Sequence, residues 1–81
     1  MKVEFPLHFM HTGERGRVVG IRWREQDVEE RLAEMGFEKG VAFEVTRYDE
    51  TRGITVRLPD RELTLVPWLA PVIYATEEPE D

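Results

Sequence analysis

The sequence predicts a mainly β domain: a small, strongly curved sheet of about five antiparallel strands closed on itself, with one short α-helix between the first and second strands. Three observations carry this expectation. Short segments alternate apolar and polar residues with a period of two, glycine, proline and charged residues separate them, and a helical spacing interrupts the alternation once, after Asp27. The chain has 81 residues and no cysteine, so a single small core must hold it without a disulfide or a thiolate metal site.

Gly13 to Gly16 reads as a turn into a first strand over 17–23, in which Val19, Ile21 and Trp23 share one face and Val18 and Gly20 the other. Gly20 within it predicts a bulge or a close backbone approach. From Asp27 the period changes. Val28, Leu32 and Met35 fall at i, i+4 and i+7 on one helix face, while Glu29, Glu30, Arg31 and Glu34 occupy the rest. Asp27 is the expected N-cap, and Glu30 three residues on completes a capping box. A helix of about nine residues is too short to be stable alone and must lean on the sheet.

Gly36 is expected to end this helix in the left-handed conformation, with Phe37 folding back over Leu32. Gly40 opens the next turn, and a second strand follows with Val41, Phe43 and Val45 inward and Ala42, Glu44 and Thr46 outward. Asp49 to Gly53 is a hairpin connection into a third strand that points Ile54, Val56 and Leu58 inward. Pro59-Asp60-Arg61 is a turn, and the fourth strand places Leu63 and Leu65 inward. Pro67 to Pro71 allows one 3₁₀ turn before a last strand, "VIYA", over 72–75. Five short strands, tight hairpins and one helix in so few residues give the architecture of an SH3-like barrel.

The formal charge is −6, but the last five residues hold four of the 17 acids. Residues 1–76, the expected domain, carry 11 basic and 13 acidic side chains, and residues 77–81 read as an acidic disordered tail. A nearly balanced body with an acidic tail lacks the basic patch of a nucleic-acid binder. No run of about 18 apolar residues is present, nor the apolar stretch and cleavage site of a secretory signal. A cytoplasmic protein is expected. The sequence has no serine, no phosphate-binding glycine loop and no nucleophile elbow, so an enzyme is not expected.

The helix end is the candidate partner surface, comprising Leu32, Glu34, Met35, Gly36, Phe37, Glu38 and Lys39. Aromatic and methionine side chains rimmed by charge suit a protein contact, although a barrel this small also needs Leu32, Met35 and Phe37 for its core. His8 and His11 are weak metal candidates. Two imidazoles make an incomplete site, and Glu4 and Glu14 stand at no recognised ligand spacing; the alternative is a leader that packs Phe5, Leu7 and Phe9 against the barrel. Glu29, Glu30, Glu34 and Glu38 read as a solvated face with salt bridges to Arg31 or Lys39. Trp23, Tyr48 and Trp68 lack the interleaved basic residues of a base-stacking platform and are expected in core and rim packing.

Three stretches resemble the FeoA family, the small cytoplasmic proteins of ferrous iron uptake, and the related SH3-like domain of iron-dependent repressors. "FPLHFMHTGERGRVVGI" is similar to the family's apolar leader, Gly-x-x-Gly and valine-rich strand. "RLAEMGFEKGVAFEV" is similar to its helix-end signature, and "ELTLVPWLAPVIYA" to its closing strands. The resemblance spans roughly residues 5–75. Where many members have a longer Pro/Gly-rich connection, this chain has only "DETRG". The resemblance implies an adaptor that binds the cytoplasmic region of a FeoB-like membrane iron transporter, meets the membrane only through that partner, and is a monomer or weak homodimer. It implies no required cofactor and at most weak binding of Fe²⁺ or another divalent metal. The second implied role is a regulatory or metal-sensing domain akin to that of the repressors. With one helical pattern only, this sequence would perform such a role in trans.

Overall fold

The segments with period-two alternation become strands in the computed structural model, which describes residues 3–22 and 26–78. In chain order they are β1 (Glu4–Pro6), a 3₁₀ turn (Leu7–Phe9), β2 (Arg15–Ile21), α1 (Gln26–Glu34), β3 (Ala42–Asp49), β4 (Gly53–Arg57), β5 (Glu62–Leu65), a second 3₁₀ turn (Pro67–Leu69) and β6 (Ile73–Glu77). They form one antiparallel sheet in the order β1-β6-β2-β3-β4-β5. The mainly β class stands, with six strands where about five were expected. The added strand is the leader, whose Glu4–Pro6 pairs with residues 74–76 of β6. The helix therefore follows β2, the strand expected to be first.

Two register shifts bend the sheet around its core. One lies between Val18 and Gly20 of β2, where Gly20 predicted an irregularity, and the other between Val45 and Arg47 of β3. A bulge inserts one residue and reverses which face the following side chains occupy. Before the first bulge Gly16 and Val18 are buried; beyond it Ile21 packs against the core. Strict alternation had put Val18 and Ile21 on opposite faces. Trp23, assigned to the same strand from the sequence, lies outside the described residues.

Val18, Leu32, Phe37, Phe43, Val45, Ile54, Val56, Leu65, Ile73 and Ala75 join in one buried cluster, so the helix and five of the strands share a single core. The leader contributes differently from expectation. Leu7 and Met10 are buried while Phe9 is 62% exposed, because a 3₁₀ turn brings residues i and i+3, not i and i+2, to the same side. Gly16 is also reassigned, from turn to strand. A Cβ there would stand 2.9 Å from Phe43 Cζ and 3.0 Å from Met10 Cε, so the missing side chain is what lets these two pack across β2.

The acidic end is held further than its composition suggested. Glu77 completes β6, the Glu78 amide donates to the Arg15 carbonyl at 3.0 Å, and the Glu78 carboxylate accepts from Arg17 Nε at 3.0 Å and Nη2 at 2.9 Å. This fork-to-carboxylate pairing keeps the Arg17 guanidinium protonated even more firmly than usual. Residues 79–81 of the expected tail lie outside the described residues.

In the β3–β4 hairpin, Asp49 Oδ1 accepts from the amides of Thr51 (2.8 Å) and Arg52 (3.0 Å), closing the turn. Gly53 then enters β4 with φ of 118°, and a Cβ there would fall 1.9 Å from the Leu65 carbonyl oxygen. Gly53→Ala is therefore expected to force β4 and β5 apart and cost about 3 kcal/mol, read as a lower urea midpoint. The Arg52 and Thr51 amides hold the Asp49 carboxyl below its ordinary 3.8. Such a group stabilises the fold above its unfolded-state pKa and loses that contribution as pH falls through the folded value. Asp49→Asn should remove this component, flattening the acid side of the stability profile below pH 3.8 in denaturation series.

Candidate functional site at the helix end

The helix ends as its glycine dictates. Gly36 has φ of 91°, its amide donates to Ala33 O at 2.9 Å, and the Phe37 amide donates to Leu32 O at 2.8 Å. These paired bonds are the Schellman closure, which satisfies two helix carbonyls and turns the chain sharply. Phe37 is thereby driven inward, fully buried, with its ring 5.5 Å from that of Phe43. The start of the helix differs from expectation: α1 begins at Gln26, so Asp27 sits in its first turn instead of capping it.

The segment after the cap is pinned to β2. The Gly40 amide donates to Val18 O at 2.8 Å, Arg17 Nη1 donates to Gly40 O at 2.7 Å, and the Val41 amide closes back on Glu38 O at 3.1 Å. Residues 36–41 thus form a fixed mount. Of the seven residues singled out for partner contact, Leu32 (1% exposed) and Phe37 (0%) are sealed in the core and can act only by positioning the others. Met35 is 37% exposed, and Glu34, Glu38 and Lys39 face solvent beside it; Gly36 is half-buried against Leu58 and Arg61.

Alongside runs a shallow groove of about 260 Å³ between α1 and β2. Val18, Ile21 and Ala33 supply its apolar walls, Gly20 leaves it open, and Glu29, Glu38 and Lys39 stand at its edge. Sequence reasoning missed these walls. The bulge decides where Val18 and Ile21 point, and Ala33 carried no signal beyond its small size.

The acidic helix face also departs from expectation. The ion pairs among the described residues join Arg15 to Glu44, Arg17 to Glu78, Arg22 to Glu4 and Arg61 to Asp60; none joins Glu29, Glu30, Glu34 or Glu38 to Arg31 or Lys39. The carboxylates project freely, since holding two long side chains together in water gains little.

His8 and His11 line one depression together with Met10, Thr12, Tyr48 and Glu50, but make different contacts. His11 is exposed with Nδ1 3.4 Å from Glu14, whereas His8 is half-buried with its ring edge-on to Phe9 at 4.8 Å. Among the described residues no group of three or more His, Asp or Glu side chains gathers at metal-binding spacing. Tyr48 and Trp68 lie at the rim, 39% and 55% exposed. What the helix end offers chemically is apolar contact framed by charge.

The FeoA domain family model matches residues 5–75. Among solved structures, a FeoA protein from Chlorobium tepidum superposes with a TM-score of 0.83 at 24% identity, covering 95% of this chain and 73% of its own. A FeoA-like protein from Clostridium acetobutylicum gives 0.80 at 22% identity, covering 100% and 94%. A manganese-dependent transcriptional repressor gives 0.85 at 19% identity, covering 96% of this chain but only 44% of the repressor. At such identities these structures speak to the SH3-like fold. No curated protein sequence matches significantly.

Burial separates the two large side chains at the helix end. Phe37→Ala is expected to cost about 3–5 kcal/mol in chemical denaturation, and Met35→Ala less than about 1 kcal/mol.

Proposed function

Because the chain belongs to the FeoA domain family, we propose that it is a non-catalytic adaptor of ferrous iron uptake that binds and modulates a FeoB-like membrane iron transporter. Family membership ties the chain to ferrous iron transport. The observation that carries the adaptor reading is that the family match, residues 5–75, spans both walls of the helix-end groove and the whole mount that fixes its rim.

The surface suits a reversible contact. The half-buried Ile21 and Ala33 in the groove and the exposed Met35 at the helix end supply apolar contact, and the uncompensated carboxylates of Glu29, Glu34 and Glu38 would steer a basic patch of the partner. Such steering weakens as salt rises. Among the described residues no helix is long and apolar enough to cross a membrane, so in this reading the protein works in the cytoplasm and reaches the membrane through its partner. Iron is the transporter's cargo and the adaptor needs no resident metal. The repressor likeness covers under half of that protein and supports the shared fold alone.

The test is an NMR titration of the ¹⁵N-labelled protein with the cytoplasmic GTP-binding region of a FeoB-like transporter, with and without nucleotide. Shifts should cluster at Glu34 to Lys39 and Val18 to Ile21, and Glu38→Arg should weaken binding about tenfold while the spectrum stays dispersed. Normal binding by a folded Glu38→Arg variant would refute the surface. Absence of shifts at high concentration would remove the adaptor reading for that region. Anaerobic calorimetry with Fe²⁺ separates the alternative: micromolar affinity lost in His8→Ala would put metal handling in its place.

A further inference from the structure

β1 and β5 are the outermost strands of the sheet, so each has one side without a strand neighbour. The two edges differ. β1 is blunted, because it has only three residues and ends in Pro6, which carries no amide. β5 has no such defence. It contains no proline, lysine or bulge, runs in unbroken register against β4 through four residue pairs, and carries Glu62 as its one charge.

The register identifies the backbone groups that this edge leaves open. The Leu58 amide donates to the Arg61 carbonyl at 2.7 Å, so these residues form a hydrogen-bonded pair at the end of the β4–β5 hairpin. Such pairs alternate along an antiparallel ladder, which makes Val56 with Leu63 and Ile54 with Leu65 the next two. Leu63 and Leu65 therefore direct their amides and carbonyls at β4, whereas those of Glu62 and Thr64 point away from it. Both of the latter residues are exposed. An open row of this kind is a template for one more strand.

Side chains select the occupant. On the outer face Thr46 Oγ1 donates to the Thr55 carbonyl at 3.3 Å, and the Thr55 and Thr64 hydroxyls lie 2.9 Å apart. Glu62 stands opposite Arg57. A second β5 laid antiparallel about a two-fold axis at Thr64 sets Thr64 against its own counterpart, Leu63 against Leu65, and Glu62 against the exposed Val66. No like charges meet in this register. The threonine row continues across the axis, and threonines facing each other on adjacent strands are favourable. Pairing β5 with β1 would instead chain copies into an open filament, which Pro6 opposes by removing a donor.

We propose that β5 is a self-association edge, through which two copies of this chain pair antiparallel about Thr64 into one continuous sheet. So short a pairing buries less than the roughly 1,200 Å² of a standard interface, and the dimer is transient and concentration-dependent. The proposal does not rest on the transporter reading, and no β5 residue lines the helix-end groove.

The experiment follows sedimentation and ¹⁵N NMR spectra of the protein from about 0.01 to 1 mM. Apparent mass should rise toward that of two chains, with shifts centred on residues 61–67. The Thr64 amide should gain protection from hydrogen exchange as concentration rises, while Leu63 and Leu65 stay protected throughout. Thr64→Pro removes the outward donor, and Thr64→Glu sets like charges across the axis; each should weaken association at least about tenfold while the spectrum stays dispersed. Glu38→Arg, which alters only the helix end, should associate as the parent does. A monomer at about 1 mM, shifts centred elsewhere, or undiminished association by either folded Thr64 variant would overturn the proposal. Protection of Thr64 only on adding the transporter's cytoplasmic region would give the edge to that partner and equally overturn self-association.

Discussion

The left-handed turn at Gly36 is the constraint on which the rest of the molecule depends. A helix of nine residues has too little intrinsic stability to persist by itself, and this one is fastened by what its C-terminus does next. The turn sends Phe37 beneath the sheet to meet Phe43 and leaves Leu32 beside it in the same cluster. One backbone conformation thus closes the helix, fills the core and delivers the chain to β3. Because Gly40 is then tied to both Val18 and Arg17, the intervening Glu38 and Lys39 stand on backbone that is hydrogen-bonded at each side. The candidate surface is rigid for the same reason that the core is full.

Core and surface divide along the chain in a consistent way. The strands spend their large apolar side chains inward: Phe43, Val45, Ile54, Val56, Leu65 and Ile73 are all buried. The large apolar residues left at the surface sit at turns and element ends, Val3 just before β1, Phe9 in the first 3₁₀ turn, Met35 at the helix end, Tyr48 before the hairpin, and Val66 and Trp68 at the second 3₁₀ turn. A barrel of this size has no strand face to spare, so recognition is carried by connections mounted on it. The helix-end groove follows the same division, lying between α1 and β2 with its charged rim on the connection to β3.

Much of this was legible in the sequence because it is local. The glycine that ends the helix, the aromatic behind it, and the alternation of β3 and β4 follow from steric rules acting within a few residues. Gly20 announced an irregularity, but a bulge reverses every side chain after it, and only the pairing with β6 fixes where the reversal falls. That is why Val18 and Ile21 were not recognised as groove walls. Met35 shares a helical spacing with Leu32 yet emerges at the cap, where the helix has already ended and the period no longer applies. Phe9 was misplaced for the opposite reason, a strand period assumed where a 3₁₀ turn had begun. The helix-end residues were found as a stretch; which of them face outward was decided by long-range packing.

The strand order also fixes when the domain can exist during synthesis. β3, β4 and β5 are consecutive hairpins whose loops close over short distances, so they can pair as soon as they are made. β2 is different: it is joined to β3 at Arg15–Arg17 and to β6 over most of its length, and β6 is the last element among the described residues. Until residues 73–78 leave the ribosome, β2 lacks one neighbour, β1 has none, and the Gly40 anchor lacks the Glu78 carboxylate that orients Arg17. The helix-end mount, which lies in the first half of the sequence, is therefore completed only by Glu78, the residue that follows β6.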